Sequence, residues 1–368
     1  MRSRVQLLEH MARRCTARLF AAHARRWPPR SRILIARDYA GWTLDIEALA
    51  VQSICRNLGL RTVDGSWMAV SDDQAVFHVD QFVLLNPPDW KRHRVGLAYY
   101  HGLPDTPGHP EFNLLFEQFR RLHQRLDAVQ VSHRAMRDFL ANSGVAEEKL
   151  HLIPIGFHAE WFRPPSPDDR KKVRQWLGFP ESAFVVGSFQ KDGSGWGEGL
   201  EPKYIKGPDV LVAALKALRL QIPELHVLLT GPARGFVKRE LTAAGIPWQH
   251  RIVRRYRQTV LMYYALDAYL IASRQEGGPK AVLESMATAT PVISTKVGQA
   301  SDLIVHGLNG FLVEVGDADG LAYWTGRVAR DSELRARLVE NGIRTAALNS
   351  YDAQLPLWRN LFDSLIAK

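Results

Sequence analysis

Cysteine is scarce in this 368-residue chain. Cys15 and Cys55 are too few for a disulfide framework and lack metal-site spacing. The expected setting is therefore reducing and intracellular. Long apolar runs are missing as well: no stretch reaches the roughly 18 uncharged apolar residues of a spanning helix. The nearest, Thr259 to Ser273, is broken by Asp267 and reads as a helix followed by a buried strand. Arg13, Arg14 and Arg18 fall where the apolar core of a secretory signal would lie, so no such signal is expected. The chain also lacks a P-loop, a Gly-x-Gly-x-x-Gly turn after its first strand pattern and a His/Cys cluster. These absences count against an NTPase, a dinucleotide oxidoreductase and a metallohydrolase. Asp317-Ala318-Asp319 precedes a helical pattern, where acids cap the N-terminus, so no metal is expected.

What remains is globular in composition, with 46% hydrophobic and 23% charged residues. At roughly 150 residues per domain the length favours two domains. The net charge is +10, but it is unevenly placed. Residues 1–32 hold nine arginines and one acid, Glu9, or +8; the remaining 39 basic and 37 acidic residues leave +2. Within that leader Val5, Leu8, Ala12, Cys15 and Leu19 recur at helical spacing before Trp27-Pro28-Pro29. Three readings stay open: a helix on an anionic membrane surface, a solvated extension, or a transit peptide. The domains show no basic face interleaved with aromatics, so nucleic acid is not an expected partner.

From Arg32 onward, strand-length apolar runs alternate with helical patterns. Strands are expected at Ile33–Ala36, Arg61–Val63, Phe77–Leu85, Val95–Tyr100, Ala128–Ser132 and Leu150–Ile155. The Pro-rich stretch Gly156 to Asp169 reads as a linker. A second set follows at Phe184–Phe189, Leu225–Thr230, Ile252–Val253, Ala268–Ala272 and Pro291–Ser294, with helices between. This pattern predicts the α/β class: two doubly wound domains facing a crevice, with ligands at the carboxyl ends of strands. The expected boundaries are a basic extension over 1–31, a first domain over 32–156, a linker over 157–170, a second domain over 171–350, and a C-terminal helix over 351–368 packing back on the first domain.

The densest chemical signal is Ser273-Arg274-Gln275-Glu276-Gly277-Gly278-Pro279-Lys280-Ala281-Val282-Leu283-Glu284. A buried strand ends at Ser273, and Pro279 suits the first position of a helix. Gly277 and Gly278 let a ligand approach the backbone, where free N–H groups favour a phosphate or sugar hydroxyl. The plain alternative is an ordinary strand-to-helix turn with a solvated glutamate.

The neighbours of this segment weigh against that alternative. Glu-x7-Glu, then Ser285-Met286-Ala287, Pro291-Val292-Ile293 and Asn309-Gly310-Phe311-Leu312-Val313, resembles the donor-binding half of the retaining glycosyltransferases of family 4, which have the GT-B fold. Gly187-Ser188-Phe189, Lys206-Gly207-Pro208-Asp209, Leu228-Leu229-Thr230-Gly231, Val297-Gly298 with Asp302, and Leu152 to Pro164 extend the likeness from about Arg32 to the C-terminus. The chain departs from the family in three places. A longer loop runs from Lys191 to Tyr204, Ala289 stands where glycine is usual, and Gly41 alone represents an N-terminal glycine pair.

The resemblance implies a GT-B enzyme with two Rossmann-like domains. It would move a sugar from a nucleoside-diphosphate sugar to a glycan or lipid-linked acceptor in envelope polysaccharide or glycolipid synthesis; the cysteine usage and the basic leader add an expected place in the cytoplasm, peripherally on the inner membrane face. Another GT-B activity, epimerase or phosphorylase, and a non-catalytic binding protein are the alternatives. It implies no cofactor and no metal, the nucleotide sugar being substrate. Glu276 would fix donor-sugar hydroxyls and oppose developing positive charge, and Glu284 would accept from the ribose. Lys206, with Lys191 as a weaker candidate and the backbone at Gly187, Gly277 and Gly278, would stabilise the departing diphosphate. Val253 would meet the nucleobase through its backbone, and Gly41 would line the first domain's loop. His101, at the end of a first-domain strand, would meet the donor sugar or acceptor; His78 and His133 compete for that role.

Overall fold

The structure, a computed structural model, describes residues 32–36, 43–65, 75–90, 93–195 and 197–366. The expectations for residues 1–31 and for Gly41 lie outside the described residues. The chain divides into two units, one running to Ile153 and resuming at Leu355, the other spanning Pro154–Gln354.

The first unit is built on six parallel strands: β1 (Arg32–Ala36), β2 (Arg61–Gly65), β3 (Ala75–His78), β4 (Arg94–Ala98), β5 (Ala128–Val131) and β6 (Leu150–Leu152), in the order β2-β1-β3-β4-β5-β6. Helices Thr43–Asn57, Glu111–Leu122 and Arg134–Asn142 connect them. The helix Leu355–Ile366 completes this unit, burying Trp358, Leu361, Phe362 and Leu365. Its Trp358 and Phe362 rings meet Phe77 edge-on, at 5.9 and 5.7 Å between centroids.

The second unit repeats the design with β7 (Phe184–Ser188), β8 (Leu225–Thr230), β9 (Trp248–Arg251), β10 (Ala268–Ile271), β11 (Val292–Thr295) and β12 (Phe311–Val313). Its order is β12-β11-β10-β7-β8-β9, again parallel. Both faces are covered, as the strand composition requires. Along β8, Leu228 packs into one core cluster while its neighbours Val227 and Leu229 pack into the other, the two-residue period of a pleated strand. The order reverses between β7 and β10, so the loops leaving these two strands flank a topological switch point, where such sheets bind ligands.

Four local readings are corrected. Phe77–Leu85 is not one strand: β3 ends at His78, and Asp80 caps a 3-10 turn over Gln81–Leu85, its carboxylate accepting from Phe82 N at 2.6 Å. The strand expected at Ile252–Val253 lies earlier, at Trp248–Arg251, leaving Ile252 exposed. The Pro-rich linker belongs to the second unit: Phe157 and Phe162 are in its core, and Pro167 opens a helix to Leu177 with a Ser166–Asp169 capping box. Finally, Pro279 precedes its helix, which starts at Ala281 with Lys280 as N-cap.

Candidate functional site

The two loops at the switch point are stitched together backbone first. Arg274 N and Gln275 N, just beyond β10, both donate to Ile205 O, at 2.8 and 3.1 Å. The Arg274 guanidinium pairs bidentately with Asp209, at 2.8 and 2.5 Å, and holds that carboxyl below its usual range. Gly207, at φ +57°, turns the chain into the helix Pro208–Gln221; a Cβ there would overlap Ala272 O.

This stitching brings Lys206 to Glu276. The ammonium lies 2.6 and 2.7 Å from the two carboxylate oxygens, both side chains being partly open to solvent. Ser273 Oγ, fully buried, donates to Glu276 Oε1 at 2.8 Å, and Gln190 Nε2 donates to Lys206 O at 3.0 Å. Gln190 and Ser273 thus orient the two expected groups, 70 residues apart in sequence, although the sequence pattern did not single them out.

The Gly277-Gly278 turn packs against the β11 side of the site. Gln299 N donates to Gly277 O at 3.1 Å, and a Cβ on Gly278 would press on Ile155 and on Gln299 Oε1. Gly298, at φ +47°, leaves room for the Glu276 and Gly277 carbonyls. The following helix, Ala281–Ala287, has only seven residues. The backbone of the turn, more than a helix dipole, is therefore what it presents. Gly187 sits inside β7, and its missing side chain accommodates Leu266.

Glu284 is buried on that short helix, and both of its oxygens receive phenols. Tyr256 OH donates to Oε1, and Tyr263 OH donates to Oε2 at 2.8 Å. Burial, and then the Glu284 carboxylate, raise the Tyr263 phenol well above its ordinary pKa. Lys280, also buried, donates to Gly156 O at 3.0 Å and to Tyr351 OH at 2.7 Å, with its ammonium 5.5 Å from the Tyr256 ring. These partners are distant in sequence, and only the lysine's place inside the motif hinted at them.

The described residues of the long loop after β7 form a paired excursion. Lys203 N donates to Asp192 O and Ser194 N to Glu201 O, each at 2.8 Å, so its two arms pair. At its far end Glu198 O and Gly199 O accept from Gly235 N and Phe236 N, at 2.7 and 2.8 Å, filling the start of the helix Gly235–Ala243. At its base Asp192 forms a 2.9 Å ion pair with Arg234, both side chains being fully buried. Arg234 also donates to Ser188 O and Thr230 O, at 2.6 and 2.8 Å, so this arginine is committed to the loop. Lys191 is half-buried beside it, and burial lowers its pKa.

Val253 packs against the second unit's core beside exposed Ile252. In the first unit His101 follows β4, its ring edge-on to Phe82 and Phe112 at 5.7 and 5.6 Å. His78 is structural: Trp90 Nε1 donates to its Nε2 at 3.1 Å, and burial lowers its pKa to about 3. His133 is the N-cap residue of Arg134–Asn142. Asp317 caps its helix by accepting from Gly320 N at 2.7 Å. Among the described residues no helix is long and apolar enough to cross a membrane.

Residues 200–345 match the family model described as glycosyl transferases group 1. The chain is similar to D-inositol 3-phosphate glycosyltransferase of Xylanimonas cellulosilytica, with 30% identity over 60% of this chain and 52% of the relative. It is also 25% identical to a GDP-mannose-dependent monoacylated alpha-(1-6)-phosphatidylinositol monomannoside mannosyltransferase of Corynebacterium glutamicum, over 64% of this chain and 58% of that one. The matched region spans about half the length of such curated relatives. Among solved structures, Anabaena HepE in complex with UDP-glucose superposes with a TM-score of 0.72 at 18% identity, covering 92% of this chain and all of HepE. Sucrose-phosphate synthase from Thermosynechococcus elongatus gives 0.75 at 16% identity, over 92% of this chain and 100% of the synthase. The chain as described thus has the two-domain α/β fold of GT-B glycosyltransferases, with a match to the group 1 glycosyl transferases over residues 200–345.

Proposed function

We propose that this protein is a retaining glycosyltransferase that moves a sugar from a nucleoside-diphosphate sugar to a glycan or lipid-linked acceptor. The observation that carries the reading is the Lys206–Glu276 pair, set beside the Gly277-Gly278 turn at the switch point of the second sheet. In this transfer the bond from the anomeric carbon to the diphosphate breaks, and a bond to the acceptor oxygen forms on the same face. The acceptor's hydroxyl proton passes to the departing phosphate oxygen. Negative charge grows on the diphosphate, and a preorganised ammonium such as Lys206 stabilises it most where it is already held in place. Glu276 accepts from donor-sugar hydroxyls, and its carboxylate opposes the positive charge growing on the sugar ring. Glu284 serves the ribose, Val253 the nucleobase, and His101 the donor sugar or acceptor. Lys191 is a second cation for the diphosphate. No cofactor takes part in this scheme.

A lipid-linked or envelope glycan as acceptor is supported by the names of two relatives, the Corynebacterium glutamicum mannosyltransferase and a lipopolysaccharide core glycosyltransferase of Rhizobium meliloti. The arginine-rich residues 1–32 would dock the enzyme on the inner, anionic membrane face from the cytoplasm. The test is nucleoside-diphosphate release from UDP-, GDP- and ADP-sugars by the purified chain with lipid extracts. Release that Glu276→Gln and Lys206→Met abolish supports the reading. No release from any donor, with cellular glycans unchanged by Glu276→Ala, removes it.

A further inference from the structure

Glu284 is a buried carboxylate with phenols on both oxygens, and the two phenols differ in how firmly they are held. Tyr263 belongs to the helix Thr259–Tyr264, is fully buried, and packs its ring against Phe189 and Tyr269 at 4.8 and 5.4 Å between centroids. Tyr256 belongs to the single 3-10 turn Tyr256–Gln258 and is partly exposed. It lies in a stretch where Ile252, Arg254, Arg255 and Arg257 face solvent. One donor is locked into the core, and the other sits at its edge.

A ribose presents two neighbouring hydroxyls, which together supply the donors a buried carboxylate needs. The phenol of Tyr256 already supplies one of them. Leaving Glu284 short of a donor would be costly in a buried site, and the Tyr256 phenol meets that need. We propose that Tyr256 is a displaceable stand-in for a ribose hydroxyl on Glu284. The phenol leaves when a nucleotide seats its sugar and returns as the nucleoside diphosphate departs. This inference rests on reading Glu284 as the ribose carboxylate. It adds a positioning residue that competes with the ligand, weakening the hold on product and easing its release.

The experiment is titration of the full chain with UDP, GDP and ADP and with their dideoxyribose counterparts, for wild type and Tyr256→Phe. Removal of the competing donor is expected to tighten the ribonucleoside diphosphate about five- to tenfold, a change of roughly one kcal/mol at 1.4 kcal/mol per tenfold, and to leave the dideoxy form unchanged. In turnover, KM for the donor falls, and kcat falls with it where release is limiting. A purely structural Tyr256 would instead leave nucleotide affinity equal or weaker, which overturns the proposal.

Trp161, whose ring lies 6.1 Å from that of Tyr256, gives a second readout should the variant not fold. Its emission, taken as the difference from Trp161→Phe, must change with the ribonucleotide and not with the dideoxy form. Equal changes with both overturn the idea. A folded wild type that binds none of the three nucleotides removes the reading of the site itself, whereas binding that Tyr256→Phe does not tighten removes only the role of Tyr256.

Discussion

Lys206 Nζ meets both oxygens of Glu276, at 2.6 and 2.7 Å, so the cation and carboxylate proposed for opposite ends of the donor's breaking bond serve as each other's counterion. On the proposed reading, a diphosphate draws Lys206 away from Glu276, and the carboxylate turns to the sugar. The two groups act as one unit. Lys206→Met and Glu276→Gln are each expected to lower kcat by about 100- to 1,000-fold. The double variant should fall far short of the product of the two losses. Initial rates of nucleoside-diphosphate release check this.

The Asp192–Arg234 pair predicts an asymmetric stability series. Arg234→Met alone leaves a buried carboxylate without its counterion and should cost about 3–5 kcal/mol. Burial already pushes Asp192 above the ordinary carboxylate range, with Arg234 pulling it back, so losing the arginine leaves the unfavourable part. Replacing both with apolar residues of similar size should recover most of the loss. Urea titrations of the wild type and these two variants check the order.

His78 gives the first unit an acid-sensitive core. Its pKa falls from 6.5 to about 3 on burial, so between these values the unfolded chain binds a proton that the native chain does not. Stability therefore rises with pH across that window, and is lost as pH falls through it. In His78→Gln, where an amide oxygen can accept from Trp90 Nε1, the slope between about pH 6.5 and 4 should flatten. Melting followed across that range checks the sign.

Ala289 stands at φ +58°, a left-handed conformation that strains a residue with a Cβ. Ala289→Gly should stabilise the second unit by about 0.5–1 kcal/mol, the strain relief being partly offset by the entropy of the added glycine. An unchanged or lower denaturation midpoint would refute this.

The two sheets were legible because buried parallel strands are short apolar runs that need no partner to be recognised, as in Leu225–Thr230 and Ala268–Ala272. Polar edge segments were not: Trp248–Arg251 carries little apolar signal, and the apolar pair Ile252–Val253 beside it drew the expectation three residues too far along. Pro164, Pro165 and Pro167 read as a linker because the Ser166–Asp169 capping box was not weighed against them. In the site, Glu276, Lys206 and Glu284 sit in motifs and were visible. Gln190, Tyr256, Tyr263, Lys280 and Arg234 act through contacts with segments well separated in sequence, which no local spacing marks, whereas Ser273 reaches Glu276 three residues on, inside the motif itself.

The excursion after β7 begins and ends on the same spot, where Lys203 N meets Asp192 O. Its closed neck isolates what lies beyond from Lys206, three residues further on. Beyond the neck Glu198 and Gly199 are tied to the helix Gly235–Ala243, but the space around Gly195 and Gly197 is open, so the loop can be rebuilt at these two positions while the lysine keeps its place.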